Sequence, residues 1–236
     1  MSDGIAPTVD AVVDLRAYAA GTLPSADWIA GRAQPAFADA AAQVAAIALR
    51  GTGRVDTLAQ DEFVLVLAGW LVIESAAGSM TITAANAGVL PVGTSFFWRA
   101  SDDMLAIIYA APTAAPGSAA APLLIDTAAP LTPSSPPLAE NLIGPTPACR
   151  NHSDYLSANT EFVCGTWDST PYHRRQIPYR QVELMLLIDG SVTFSTEAAT
   201  VSFAAGDVCL FVRGDGCAWR SSVHVKKIYA TQRPVG

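Results

Sequence analysis

The sequence predicts an all-β protein built from two repeated domains in tandem. Three observations predict it: a long-range internal repeat, short apolar runs rich in β-branched and aromatic residues, and a connector rich in Pro, Ala and Ser at mid-chain. The repeat is the strongest of the three. "EFVLVLAGWLVIES" from Glu62 aligns without a gap on "ELMLLIDGSVTFST" from Glu183, an offset of 121 residues. Both copies share Glu, six residues, then Gly, and at the same offset Gly93 falls on Gly214, Trp98 on Trp219, Arg99 on Arg220 and Arg54 on Arg175. "DDMLAIIYA" and "VHVKKIYA" both close on Ile-Tyr-Ala, displaced by one residue.

In chain order, the apolar runs "FVLVLAGWLVI", "SMTIT" and "MLAIIYA" of the first half, and "LMLLIDGSVTF", "TVSF", "DVCLFV" and "VKKIYA" of the second, read as strands by length and by the Gly, Asn and Asp that punctuate them. "ADAAAQVAAIALRG" has helical propensity from its alanines, but its counterpart "EFVCGTWDSTPY" has strand character, so both are expected to be strands. "LAGW" and "IDGS" read as the turns of paired hairpins. The segment from Ala111 to Glu140 suits an extended connector. A weaker echo between "VVDLRAYAAGTLPSAD" from Val12 and "LLIDTAAPLTPSSPP" from Leu123 places the domains at 12–111 and 123–233.

Composition narrows the function. Hydrophobic residues make up 51% of the 236, enough for real cores, and charged residues only 15%. A net charge of -7 argues against a phosphate-binding surface, so nucleic acid is not an expected partner. No apolar run approaches the roughly 20 residues of a bilayer span, and "MSDGIAPTVD" lacks the order of a secretory signal. The expectation is a soluble cytoplasmic protein with no membrane partner. Cys149, Cys164, Cys209 and Cys217 form no CxxC pair, and reduced thiols are expected.

The repeated residues resemble a cupin, which implies two tandem jelly-roll (double-stranded β-helix) barrels. The family's first motif ends in Glu, six residues, Gly, matched by Glu183 to Gly190 and by Glu62 to Gly69. Its second motif places Gly, Pro-x-Gly and His where Gly206, Val212-Arg213-Gly214 and Cys217 stand, and where Ala85, Pro91-Val92-Gly93 and Phe96 stand in the first half. More narrowly, residues from Phe162 to Ala230 resemble the small EutQ-like and ureidoglycine aminohydrolase-like cupins.

The resemblance implies a His-x-His pair before the Glu in metal-binding members, because two imidazoles and a carboxylate make a compact site with open positions. Here those stretches are "QIPYRQVE" and "VDTLAQDE", without histidine. No metal cofactor is therefore expected, a divalent ion such as manganese or zinc being the minority reading.

The candidate catalytic residues are Glu183 and His173. Glu183, aimed into a barrel, would be a general acid or base, or else a strand-edge carboxylate paired with Arg175, as Glu62 would be with Arg54. His173 lies in the donor-rich "PYHRRQIPYRQ", which could orient an anion or be a solvated loop. Candidate ligand contacts are Tyr172, Arg175, Tyr179, Cys217, Trp219 and Lys226. Lys226 and Lys227 alternate on the last strand, so one of them should point inward. Trp219 and Trp98 could wall a pocket or fill a core, and Cys217 is more readily an inert thiol than a reactive one.

The working expectation is a bicupin of unassigned reaction that binds a small polar or anionic metabolite in its second barrel and could form a homodimer. A metal-dependent hydrolase or isomerase and a degenerate scaffold for protein association are the competing readings.

Overall fold

A computed structural model describes residues 8–9, 12–113, 115–214 and 216–233. Among these, the regular structure is almost all β. The exceptions are a short helix, Leu15–Ala19, whose first N–H groups are capped by the Asp14 carboxylate, and one 3-10 turn, Ala139–Asn141. No helix among the described residues is long and apolar enough to cross a membrane.

Each half closes a large sheet over a four-stranded one, giving two jelly-roll barrels. In the second barrel the large sheet carries, in order, Val208–Phe211, Val182–Asp189, Val225–Gln232, Phe162–Ser169 and Cys149–Leu156. The small sheet carries Tyr172–Pro178, Gly216–Ser221, Ser191–Ser195 and Thr200–Ala204. The first barrel repeats the plan with Asn86–Leu90, Asp61–Ala68, Leu105–Ala111 and Gln43–Leu49 against Gly51–Val55, Phe96–Ala100, Trp70–Ser75 and Gly78–Thr83. The alanine-rich run is thus the strand Gln43–Leu49: buried along its length, it is held by pairing that outweighs helix propensity.

Alternation along each strand separates three cores. On Val182–Asp189 the side chains of Val182, Leu184 and Leu186 meet Phe63, Leu65 and Leu67 of the other half in one shared cluster, so the two large sheets pack face to face. The intervening Glu183, Met185 and Leu187 face the interior of their own barrel, as Glu62, Val64 and Val66 do in theirs. Each large apolar side chain removed from water in these cores stabilises the fold by about 1.5–3 kcal/mol.

Two sequence expectations are corrected by the pairing. Gly69 and Gly190 do not close hairpins, because the strands on either side of each belong to different sheets. They are barrel corners with φ of 66° and 79°, and a Cβ on Gly190 would lie 2.0 Å from the His224 carbonyl oxygen, so neither site tolerates a side chain. Secondly, the segments that open the two halves are exchanged. Val12–Asp14 pairs with Val208–Phe211 of the second barrel, whereas Leu123–Leu124 pairs with Asn86–Leu90 of the first. Strands this short carry no pattern that names their partner, which is why residues 12–14 and 123–124 were assigned to their covalent halves.

Candidate ligand site in the second barrel

A cavity of about 1010 Å³ opens into the second barrel between its two sheets. Trp167, Tyr172, Tyr179, Trp219 and Tyr229 form its aromatic wall, and the proline-rich stretch 133–138 contributes to its rim. Among the described residues Arg174, Arg180, Lys227 and Arg233 line it against Glu140 and Glu183, so cations prevail here in a chain whose net charge is -7.

Arg174 reaches the interior from Tyr172–Pro178, where it lies opposite Trp219. Only 8% of it is exposed. One amino group donates to the Cys217 carbonyl at 3.1 Å and the guanidinium carbon sits 5.3 Å from the Tyr179 ring centroid, while Nε has no hydrogen-bond partner. The ionisable groups around it are the phenols of Tyr179 and Tyr172 and the Cys217 thiol. Burial pushes both phenols far up and the thiol up to about 11, so all three are neutral near pH 7. A buried guanidinium cannot shed its proton. It therefore stands in the cavity wall with no carboxylate paired to it among the described residues.

Glu183 is compensated differently. Lys227, from Val225–Gln232, donates to Glu183 Oε1 at 2.8 Å and to the Met185 sulfur at 2.7 Å, and Gln181 donates to Oε2 at 3.1 Å. The ammonium lies 4.7 Å from the Trp167 ring centroid and 5.6 Å from that of Trp219. Burial would raise the Glu183 pKa, but the charge and hydrogen bond of Lys227, with help from Gln181, outweigh it and hold the carboxyl below its ordinary value. Glu183 is an anion that already has its cation.

The residues here do not fit a transition metal. Both Glu183 oxygens are engaged, Cys217 is fully buried with its thiol pKa raised, and the described residues contain no group of three or more His, Cys, Asp or Glu able to hold an ion.

Of the residues singled out in the sequence, Glu183, Tyr172, Tyr179 and Trp219 line the cavity. His173 and Arg175 do not: His173 sits between Tyr172 and Arg174 on the other face of the strand, and Arg175 is exposed. Neither Arg175 nor Arg54 pairs with its glutamate; Arg54 instead meets Asp56. Lys226 turns away and donates to the Thr127 carbonyl. Cys217 belongs to the barrel core, and the thiol that lines the cavity is that of Cys149.

Arg174, Trp167, Tyr229 and Gln181 were not among the sequence candidates, and of the two alternating lysines it is Lys227, not Lys226, that turns inward. Alternation from Tyr172 would have found Arg174, since both have the same parity before a bulge between Arg174 and Ile177. For the lysines, the one-residue displacement of Ile-Tyr-Ala obscured the facing. Tyr229 pairs with Met185 and turns inward, whereas Tyr109 pairs with Phe63 and joins the shared core.

In the first barrel Glu62 is also buried, but it accepts from Trp28 Nε1 at 2.9 Å and pairs with Arg32. Trp28 packs edge-on against Phe96 within the barrel core. Trp28 and Phe96 thus belong to a buried apolar cluster that occupies that interior.

Residues 156–229 match the EutQ-like cupin domain. A crystal structure of a protein of unknown function from Pseudomonas syringae pv. tomato is similar at TM-score 0.79 and 28% identity, covering 85% of this chain and 86% of that one. A cupin 2 conserved barrel domain protein from Leptotrichia buccalis (TM-score 0.57, 10% identity, 85% and 88% covered) and the protein Ylba from E. coli (0.52, 10%, 84% and 80%) share the fold. No curated protein matches the chain.

Proposed function

We propose that this EutQ-like cupin barrel binds a small anionic metabolite, using its own cations in place of a metal. The observation that carries the reading is Arg174: a guanidinium in the wall of the cavity, with no carboxylate partner among the described residues. An incoming carboxylate would accept a charge-assisted hydrogen bond from this guanidinium. Arg180 and Arg233, both exposed at the cavity, add a positive field that draws an anion in.

The size of the cavity supports a ligand site over a filled scaffold, since about 1010 Å³ matches the upper range of small-molecule pockets. A metal-dependent hydrolase finds no support in the donor set at Glu183.

Isothermal titration of the purified protein with acetate, hexanoate, benzoate, succinate and phosphate tests the proposal. At least one carboxylate should bind, and Arg174→Met should weaken it about 10- to 100-fold. Binding unchanged in Arg174→Met, or binding of none of these anions, would overturn it.

A further inference from the structure

We infer that the ligand is a monocarboxylate bearing a second, uncharged oxygen, a hydroxy or keto acid, and that Lys227 reads that oxygen. This deepens the anion-site reading and rests on it.

The argument is one of charge and donor counting. An ammonium has three N–H groups. Lys227 gives one to Glu183 and one to the Met185 sulfur, and among the described residues no acceptor takes the third, although the residue lines the cavity. The pair of Lys227 with Glu183 is neutral as a whole. A second carboxylate brought to it would meet the Glu183 charge at close range and be repelled. A hydroxyl or carbonyl oxygen would accept the third N–H without that penalty.

Arg174, by contrast, has no anion paired to it among the described residues, so it takes the single net negative charge. The two cations also share a wall. Trp219 pairs across the sheet with Arg174, and its ring lies 5.6 Å from the Lys227 ammonium. Both cations line the same cavity, so one ligand there can meet both. In metal-binding members of the fold a cation beside the glutamate would polarise such an oxygen; here the lysine is positioned to do so, held over two indoles and unable to dissociate.

The test compares hexanoate with its 2-hydroxy, 2-oxo and 6-hydroxy derivatives and with adipate, by isothermal titration of the wild-type protein near neutral pH. An oxygenated monocarboxylate should bind about 10- to 100-fold more tightly than hexanoate, the worth of a hydrogen bond to a charged donor, while adipate should gain nothing. The double variant Lys227→Met with Glu183→Gln, which leaves no buried charge behind, should bind the oxygenated acids no more tightly than it binds hexanoate.

Equal affinities across the series, or adipate the tightest, would overturn the inference and leave the anion site standing. A preference that persists in the folded double variant would overturn the role of Lys227. Failure of every acid to bind the wild type would bring down the anion site itself. The wild-type series decides the ligand class even if the double variant does not fold.

Discussion

Where the second barrel has Arg174, the first has Gly53; where it has Lys227 the first has Ala106, and where it has Tyr172 and Tyr229 the first has Gly51 and Ile108. The strand pairings match position for position, so these are equivalent places in two copies of one design. Tyr179 and Leu58 correspond as well, each giving its carbonyl to the glycine of the second motif. Only the glutamate and the tryptophan that follow the repeat skeleton, Glu62 with Glu183 and Trp98 with Trp219, are common to both interiors.

The difference shows how one scaffold can be kept open or closed. In the first barrel Gly53 leaves room for Trp98, whose ring would come within 2.5 Å of any Cβ there, and Trp28 with Arg32 enters from outside the barrel strands to fill the mouth and neutralise Glu62. In the second, the compensating cation rises from the barrel's own strand, and the barrel holds a cavity. Both copies solved the problem of a buried carboxylate, by unrelated residues. That convergence implies the glutamate position demands a cation, whatever supplies it.

Breaking either ion pair should have the largest effect. Lys227→Met should cost about 3–5 kcal/mol in chemical denaturation because Glu183 is left buried and unpaired, and Arg32→Met should do the same through Glu62. Adding Glu183→Gln or Glu62→Gln should restore most of the loss. If one barrel is sensitive and the other indifferent, the shared demand for a cation is wrong.

Trp28→Ala should cost about 3–5 kcal/mol by emptying the first barrel's mouth, and its crystal structure should show a cavity where the wild type has none.

Acid should separate the barrels next. Glu183 has its pKa lowered in the folded protein, so its stabilisation is fully present above the ordinary carboxylate value of 4.5 and is lost as pH falls through the folded value. Asp61 at the start of the matching strand has its pKa raised by burial, so it acts in the opposite sense and favours the fold as it is protonated. Stability measured from pH 6 to pH 2 should fall less steeply in Lys227→Met with Glu183→Gln than in the wild type, and more steeply in Asp61→Asn.

The smallest effect concerns the second motif. Ala85 has φ of 62° where the second barrel has Gly206 at 95°. Ala85→Gly should stabilise the protein by about 1 kcal/mol, seen as a shift of the denaturation midpoint.

Much of this was legible before the structure. The doubled glutamate skeleton and the missing histidines lie in local sequence, whereas the repeated glycines read as hairpin turns and the facing of Glu183 stayed open. The site was half legible. Tyr172, Tyr179 and Trp219 were found, whereas Arg175 and Lys226 stood in for Arg174 and Lys227. In each case a neighbour of opposite parity was chosen, and in a strand one residue of slip reverses the face of every side chain.

From the sequence alone came the twin β architecture and the absence of imidazoles beside either glutamate, because pattern and composition act over a few residues. The tertiary structure alone decided which cation meets each carboxylate, which barrel is plugged and which half each opening strand joins. Lys227 lies 44 residues from Glu183 and Arg32 lies 30 from Glu62. Contacts at such separations are selected by packing and by the cost of a buried charge, and no local signal in the chain announces them.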